Sequence, residues 1–353
     1  MLGYFRTATT TLALLCAAAA SGFARAADAP IELNLNNWAP STHHLATNAF
    51  EPWKTLVEQR TNGRVKVNVY HGAVLGSSRA TLNDVRGGAY EVGLMISSYY
   101  YDTPLFKLTI GELPFAITSP AAGAKVMKEF VDKYAGDAFD KLGIKNMGVF
   151  TSDPYVLMSS QPIRRIDDMR NKKVRVPGKA WVQIEKEWGA VPVSMQLEDS
   201  YTALERGTLD VMQSTPGSAV GFRYYEPAPY VTLLNAPTVV GGMIMNRAFY
   251  DKLPPELRKQ FDDELNPKLI EMIAASYERS TNDAYEKMRE AFRKSGKGEI
   301  ISLADSERIK FVRPTEPEWA AWVKEADKRG YPGDAMMADF KAMLKKNGFA
   351  PPF

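Results

Sequence analysis

The residue best suited to chemistry is an arginine inside a strand-like segment. Arg175 lies in the apolar run from Val174 to Pro177, and no acidic residue is nearer than Asp168 on one side and Glu185 on the other. A guanidinium is planar, keeps its charge and can donate two parallel hydrogen bonds to a carboxylate. Without other context, an arginine in a strand is more often an ordinary surface residue. The isolated residue therefore predicts either anion binding or simple solvent exposure.

Other residue types do not assemble a reaction centre. Three histidines, His43, His44 and His71, are too few and wrongly spaced for a metal site of the H-E-x-x-H kind, and we interpret them as helix-start and turn residues. The sequence has no G-x-S-x-G elbow, no Walker loop and no G-x-G-x-x-G after a strand. Acidic pairs such as Asp167-Asp168 fall in helical or capping contexts. We therefore expect a binding protein without cofactor or metal, and not an enzyme.

The elements around Arg175 have the pattern of a parallel sheet. The segment from Lys173 to Thr215 reads as strand, helix, strand, helix, strand. Gly189 ends the first of these helices. The apolar residues at helical spacing in that helix are Trp181, Val182, Ile184 and Trp188. Such alternation predicts an α/β fold whose ligands gather at the strand ends.

The same segment resembles the signature region of the DctP-type periplasmic substrate-binding proteins of TRAP (tripartite ATP-independent periplasmic) transporters. The family pattern is roughly K-x-R-V-P, G-A-x-P-x-x-M, E-x-Y-x-A-L-x-x-G and D-G-x-E. The matching residues are Lys173, Arg175, Val176, Pro177, Gly189, Ala190, Pro192, Met195, Tyr201, Ala203, Leu204, Gly207 and Asp210. In this family the arginine of the Arg-Val-Pro motif makes a bidentate salt bridge to the carboxylate of the ligand. The resemblance implies this role for Arg175.

The resemblance covers nearly the whole chain and implies two lobes of α/β structure, joined by hinge strands and spanned by one long helix. We expect lobe I to comprise residues 27–152 and 241–279, and lobe II residues 153–240 and 280–353. The chain should cross between the lobes near residues 150 and 240. The strongly helical region from Asp251 to Gly296 should supply the spanning helix.

Alignment with the family motifs brings further residues to the cleft beside Arg175. They are Trp38, Tyr99, Tyr155, Leu197, Met212, Gln213 and Ser214. The tyrosines at 99–101 cannot all face a core, because successive strand residues point to opposite faces, so at least one should line a cleft or the surface.

Two departures from the family pattern bear on the ligand. Tyr155 stands where an additional arginine often lies, and Val211 and Gln213 replace the glycine and glutamate of D-G-x-E. The predicted cleft is therefore mostly aromatic or aliphatic. We expect a monocarboxylate with an apolar or aromatic body, stacked on Trp38 or the tyrosines, rather than a dicarboxylate or sugar acid.

Residues 1–26 have the features of a secretory signal peptide. Arg6 supplies a positive start, Leu12 to Ala20 an apolar core too short to span a bilayer, and Ala24-Arg25-Ala26 a cleavage site. Cleavage would remove Cys16, the only cysteine, although a lipid anchor on Cys16 is a competing interpretation that Leu15 disfavours. No later stretch has about 18 or more apolar residues. We expect a periplasmic protein that is not membrane-embedded.

Composition and resemblance together define the expected partners. The 353 residues are 45% hydrophobic and 24% charged, as in a globular protein, and the formal charge of +3 is too small and scattered for nucleic acid. The resemblance implies an organic acid as ligand and a membrane permease, with small and large subunits and a sodium gradient, as partner. An exported enzyme acting on an organic acid, or an input to a membrane sensor, are the alternatives. The sequence leaves open the exact ligand, a bound cation and the oligomeric state.

Overall fold

The computed structural model describes residues 29–353 of the chain, so the predicted signal peptide and Cys16 lie outside the described residues. The strands are β1 (Ile31–Asn37), β2 (Val65–His71), β3 (Val92–Ile96), β4 (Ile144–Thr151), β5 (Tyr155–Ser159), β6 (Lys173–Val176), β7 (Val191–Ser194), β8 (Val211–Ser214), β9 (Tyr230–Ala236), β10 (Val240–Asn246) and β11 (Glu299–Ser302).

The α-helices alternate with these strands in the first two thirds of the chain and dominate the last third. They are α1 (Glu51–Arg60), α2 (Thr81–Gly87), α3 (Pro120–Tyr134), α4 (Gly136–Lys141), α5 (Lys179–Glu187), α6 (Ser200–Glu205), α7 (Pro216–Gly221), α8 (Arg247–Lys252), α9 (Pro255–Gln260), α10 (Asn266–Ser295), α11 (Asp305–Val312), α12 (Glu316–Lys328) and α13 (Gly333–Lys346). Short 3-10 turns cover Ser97–Tyr100, Pro104–Glu112, Ile166–Met169 and Arg313–Thr315, and π-helical turns cover Ala46–Phe50 and Phe261–Leu265.

The strands form two sheets, and each sheet is the centre of one lobe. The first lobe has the order β2-β1-β3-β10-β4, and the second has β11-β9-β5-β8-β6-β7. In the second sheet β6 is parallel to both of its neighbours, β7 and β8. The chain reaches β7 through α5 and β8 through α6, which confirms the predicted βαβαβ unit.

The chain crosses between the sheets in two short segments that are bonded to each other. The first runs from Thr151 to Tyr155 and the second from Ala236 to Val240. The Thr238 hydroxyl donates to the Ser152 carbonyl at 2.6 Å, and the two hydroxyl oxygens are 2.9 Å apart. These are the crossings predicted near residues 150 and 240.

The long helix α10 links the two lobes. Its 30 residues extend for about 45 Å. It packs against β4 and α3 of the first lobe and against α7 and β11 of the second. The helix ends at Gly296, whose positive φ of 68° suits glycine. The predicted spanning helix is therefore confirmed.

The positions of the two C-terminal helices show that one predicted lobe boundary is wrong. We assigned residues 280–353 to lobe II, but α12 and α13 pack into the core of the first lobe. The Trp322 ring stacks on Phe106 with centroids 5.2 Å apart, and the Phe340 ring meets Phe130 at 6.0 Å. An amphipathic pattern shows that one helix face is buried without identifying the surface that buries it, so the sequence could not locate these helices.

Candidate functional site

Arg175 lies in β6, inside the second sheet, and is 2% exposed. In the register of β6 and β8 it is the neighbour of Met212. Because side chains alternate along a strand, Val174 and Val176 point to the opposite face. There Val174 joins an apolar cluster that includes Ile184 of α5. The sheet therefore separates Arg175 from the core that lies beneath α5.

The guanidinium of Arg175 meets the first lobe rather than an acid of its own lobe. Its Nη2 donates to the Tyr99 hydroxyl at 3.0 Å, across 76 positions of sequence. Its Nε is fully buried and has no hydrogen-bond partner among residues 29–353. Burying a cation without a counter-ion is costly, since the charge loses its hydration. The site thus offers one unused donor on a desolvated, permanently charged group.

A second arginine lies near the same tyrosine. The guanidinium carbon of Arg79 lies 4.7 Å from the centroid of the Tyr99 ring, and that of Arg175 lies 5.8 Å from it. These are cation–π distances. Arg79 was not among the predicted site residues, because nothing in its local sequence sets it apart from other surface arginines. Together the two guanidinium groups make the centre of the cleft electropositive.

Tyr155 opens β5 directly after the first crossing and lies beside the same centre. Its ring is 5.5 Å from Trp181 of α5. Burial raises the pKa of the Tyr155 phenol well above its usual range, while the Arg175 charge acts in the opposite direction. The phenol therefore stays neutral and contributes aromatic surface.

Trp38 and Leu197 frame the cleft from opposite lobes. The indole nitrogen of Trp38 donates to the Leu94 carbonyl at 2.9 Å, and its ring is stacked 6.5 Å from Phe222 of the second lobe. The Leu197 carbonyl accepts a 2.9 Å hydrogen bond from the Tyr224 hydroxyl. The Trp38 and Leu197 side chains pack with apolar clusters at the boundary of the two lobes.

The three predicted residues of β8 divide between the two faces of the sheet. Met212 is fully buried and shares the face of Arg175, as Ser214 does by alternation. Gln213 points the other way, where its amide donates to the Glu185 carboxyl of α5. Burial raises the pKa of Glu185 well above its usual range. The structure therefore brings Met212 and Ser214, but not Gln213, to the face of Arg175.

A buried acid missed by the sequence predictions lies between the lobes. Glu112 accepts from the Ser97 hydroxyl at 2.6 Å, the Val240 amide at 3.1 Å and the Trp181 indole of the second lobe at 3.4 Å. Burial raises the pKa of Glu112 to about 7. The signal that could have identified it is an acid in an otherwise apolar run, just before Leu113.

The histidine pair also joins the lobes. His43 lies 2.8 Å from the Ser218 hydroxyl of α7, and His44 lies 2.8 Å from the Ser276 hydroxyl of α10. The rings of His43 and His44 stack at 4.4 Å, and burial lowers the pKa of His43 to about 3. Within residues 29–353 no group of three His, Cys, Asp or Glu side chains could hold a metal ion. The pair therefore belongs to the packing between the lobes.

Apart from the cleft, the first lobe has an open groove. It has a volume of about 700 Å³ and is lined by residues of α3, β4 and α10. Its charged side chains are largely paired: Lys128 lies 2.6 Å from Asp132, and Lys145 lies 2.9 Å from Asp262. In the described part of the chain, none of the helices has the length and apolar character needed to cross a membrane.

Comparisons with known proteins agree with this geometry. A family model described as bacterial extracellular solute-binding protein, family 7 (DctP), matches residues 36–325. The C4-dicarboxylate-binding periplasmic protein of Rhodobacter capsulatus is 22% identical over 76% of this chain and 77% of its own length.

Solved structures show the same fold. A TRAP periplasmic solute-binding protein of Desulfovibrio salexigens is 25% identical, with a TM-score of 0.74 over 92% of this chain and 99% of that one. A TRAP solute-binding protein specific for aromatic acids, from an unidentified marine microbe and solved with 3-hydroxybenzoate, is 23% identical, with a TM-score of 0.83 over 90% and 99%. All of these are solute-binding proteins, which agrees with the prediction that the chain is not an enzyme.

Proposed function

The chain belongs to the DctP family of bacterial extracellular solute-binding proteins, and from this premise we propose that it captures an organic monocarboxylate with an aromatic or apolar body. Arg175 holds the carboxylate in a bidentate salt bridge. The loaded receptor then delivers the acid to a TRAP permease with small and large membrane subunits. The periplasm is the compartment in which this cycle takes place.

One observation supports this proposal more than any other: the buried guanidinium of Arg175 lacks a carboxylate partner. Its Nε–H has no acceptor in residues 29–353, and its Nη2 donates to the Tyr99 hydroxyl. These two nitrogens form one edge of a planar group, so a carboxylate at this edge would accept from both. The Tyr99 hydroxyl, which now accepts from Nη2, would be free to donate its own proton to the ligand.

The nature of the ligand body follows from the groups around this edge. Tyr99, Tyr155 and Trp38 supply aromatic surface, and Met212 supplies aliphatic surface. Acids with several hydroxyl groups would leave polar atoms without partners against such surfaces, at a cost of about 1 to 3 kcal/mol each. A flat, apolar body has no polar atoms that would be left without hydrogen-bond partners against these surfaces.

A thermal-shift screen tests the proposal. We expect benzoate and 3-hydroxybenzoate to raise the melting temperature most, and succinate and glucuronate to raise it little. An acid at about 100 times its dissociation constant should add about 2.7 kcal/mol to the unfolding free energy. Stabilisation by glucuronate alone would overturn the proposed ligand class but not the receptor function.

The receptor could instead feed a membrane sensor, and the choice of partner needs a separate test. Detergent-solubilised permease subunits, encoded beside a receptor of this family, should be retained by the immobilised protein in the presence of benzoate. Retention of a sensor kinase in their place would change the partner while leaving the ligand site intact.

A further inference from the structure

Near the Tyr99 ring, the two lobes are joined by direct contacts between their own residues. We call this set of contacts the seam. It consists of Ser78, Arg79 and Ser98 of the first lobe and Pro177, Gly178, Met195 and Glu198 of the second.

The strongest polar contact of the seam is a pair of hydrogen bonds from Ser78 to the Glu198 carboxylate. The backbone amide of Ser78 donates to Glu198 Oε1 at 2.7 Å, and the Ser78 hydroxyl donates to Glu198 Oε2 at 3.0 Å. Ser78 is fully buried. Hydrogen bonds to a charged acceptor are roughly twice as strong as neutral ones. Ser78 and Glu198 lie 120 positions apart in sequence and on different lobes. The two hydrogen bonds therefore exist only while the lobes are together.

Arg79 adds a second bond across the seam. Its Nη2 donates to the Pro177 carbonyl at 2.9 Å and lies 3.4 Å from the Met195 carbonyl. The nearby pair of Lys179 and Asp102 is exposed on both sides and adds little. The seam is thus polar, directional and concentrated on a few atoms.

Gly178 allows the lobes to approach each other. A β-carbon at this position would lie 2.2 Å from the Ser98 carbonyl oxygen and 3.0 Å from its carbon. The backbone of Gly178 is extended, with φ −166° and ψ −173°, so alanine could adopt this conformation within its own lobe. Any larger residue would collide with the first lobe only in the closed arrangement.

We propose that Glu198 and Gly178 determine how tightly the receptor retains its ligand without contacting that ligand. Glu198 has the same charge as a carboxylate guest, so it cannot serve as a direct ligand for it. Its effect is to stabilise the closed arrangement in which Arg175 is desolvated. Apparent affinity is proportional to the fraction of molecules in the binding-competent state, so loss of the seam weakens binding. This inference rests on the proposed function for its affinity readout, but not for its structural one.

The structural test measures the distance between the lobes in the full mature chain. Spin labels at Asn83→Cys in α2 and Glu205→Cys in α6 are both at exposed positions, one on each lobe. The only native cysteine, Cys16, lies in the predicted signal peptide, so the labels would be the only thiols. Double electron–electron resonance is recorded without ligand and with saturating benzoate.

Four variants of the labelled protein are compared with it. Glu198→Gln removes the negative charge that accepts the two hydrogen bonds from Ser78. Asp199→Asn makes the same change at the next residue and is the control, because the Asp199 side chain makes no helix-capping hydrogen bond. Gly178→Ala adds the colliding methyl group. Gly87→Ala adds a methyl group where no atom lies within 4 Å. Melting temperatures confirm that each variant folds.

We expect Glu198→Gln and Gly178→Ala to shift the distance distribution toward longer, open separations, while Asp199→Asn and Gly87→Ala keep the wild-type distribution. Benzoate should bind the two seam variants about 10- to 100-fold more weakly, mainly through faster dissociation. Unchanged distances in both seam variants would overturn the inference, as would a wild-type protein that stays open with and without benzoate. If benzoate fails to bind any variant while the ligand-free distances still shift, the inference stands and the proposed ligand class is wrong.

Discussion

The cleft between the lobes and the groove on the first lobe differ in how their charges are paired. The groove is large, at about 700 Å³, yet Lys128 and Lys145 on its walls have acidic partners at 2.6 and 2.9 Å. Arg175 in the cleft is 2% exposed, and its Nε has no partner in the described chain. A paired surface charge is already satisfied, whereas a desolvated unpaired one requires an anion from outside. From the state of the charges, and not from the size of a cavity, we infer that the ligand binds in the cleft.

Substitution of Arg175 should have the largest effect on ligand affinity. Arg175→Ala is expected to weaken binding of an aromatic acid by about 2 to 5 kcal/mol, or about 30- to 4,000-fold, because the carboxylate would be buried without its partner. Arg175→Lys should restore little, since an ammonium cannot form the bidentate pair. Isothermal titration calorimetry gives the affinities. The control is Arg165→Ala, whose side chain is 64% exposed; equal affinity in the Arg175 and Arg165 variants would contradict the assignment.

The buried acids between the lobes should give the chain a pH-dependent stability. Burial raises the pKa of Glu112 from 4.5, and that of Asp153 from 3.8, to about 7 in each case. At a pH between the unfolded and folded pKa values of each acid, the folded state binds more protons than the unfolded state. The unfolding free energy should therefore fall as pH rises from about 4.5 to 7. For Glu112 alone the full change is about 3 kcal/mol.

Urea denaturation between pH 4.5 and 7.5 measures this slope. Glu112→Gln should flatten it, because an amide does not titrate, and the exposed Glu205→Gln should keep the wild-type slope. Identical slopes in the wild type and Glu112→Gln would show that Glu112 titrates normally in the fold.

Substitution of Tyr99, whose ring lies near both arginines, should have a smaller effect on ligand affinity. Tyr99→Phe keeps the ring but removes the hydroxyl that meets Arg175 at 3.0 Å. We expect affinity for benzoate to fall by about 1 kcal/mol, or about fivefold, because the hydroxyl can no longer donate to the carboxylate. Tyr101→Phe is the matched control, since that ring packs against Phe106. A larger loss in the control than in Tyr99→Phe would remove the hydroxyl from the site.

The groove should give the smallest effect. Lys145→Ala breaks the pair with Asp262, which is partly exposed, and should cost at most about 1 kcal/mol of stability. Benzoate affinity should not change. A loss of affinity in this variant comparable with that of Arg175→Ala would mean that the groove, and not the cleft, contains the ligand site.

The sequence predicted the parts of this structure that local patterns determine. The strand and helix order from Lys173 to Thr215, the two crossings and the spanning helix follow from periodicity and turn residues, aided by the family resemblance. A local pattern shows that a helix face is buried but does not identify the residues that it packs against. For this reason the predicted lobe for α12 and α13 is wrong. Gln213 illustrates the same limit at the scale of one residue: the register that turns it toward Glu185, away from Arg175, depends on the pairing of β6 with β8.

The remaining contacts of the cleft join distant parts of the chain. Tyr99 meets Arg175 across 76 positions, and Ser78 meets Glu198 across 120. Arg79 was missed for this reason, because its role depends on a tyrosine and two carbonyl groups supplied by other segments. Such contacts form only when the lobes come together.

The most direct test is to identify what the protein retains when it is purified from cells. Mass spectrometry of the denatured wild type should release a small carboxylic acid with an aromatic or apolar body, in near-stoichiometric amount. The Arg175→Ala variant, prepared in the same way, should release none. Equal amounts of one acid from both proteins would show that the guanidinium at position 175 does not hold the ligand.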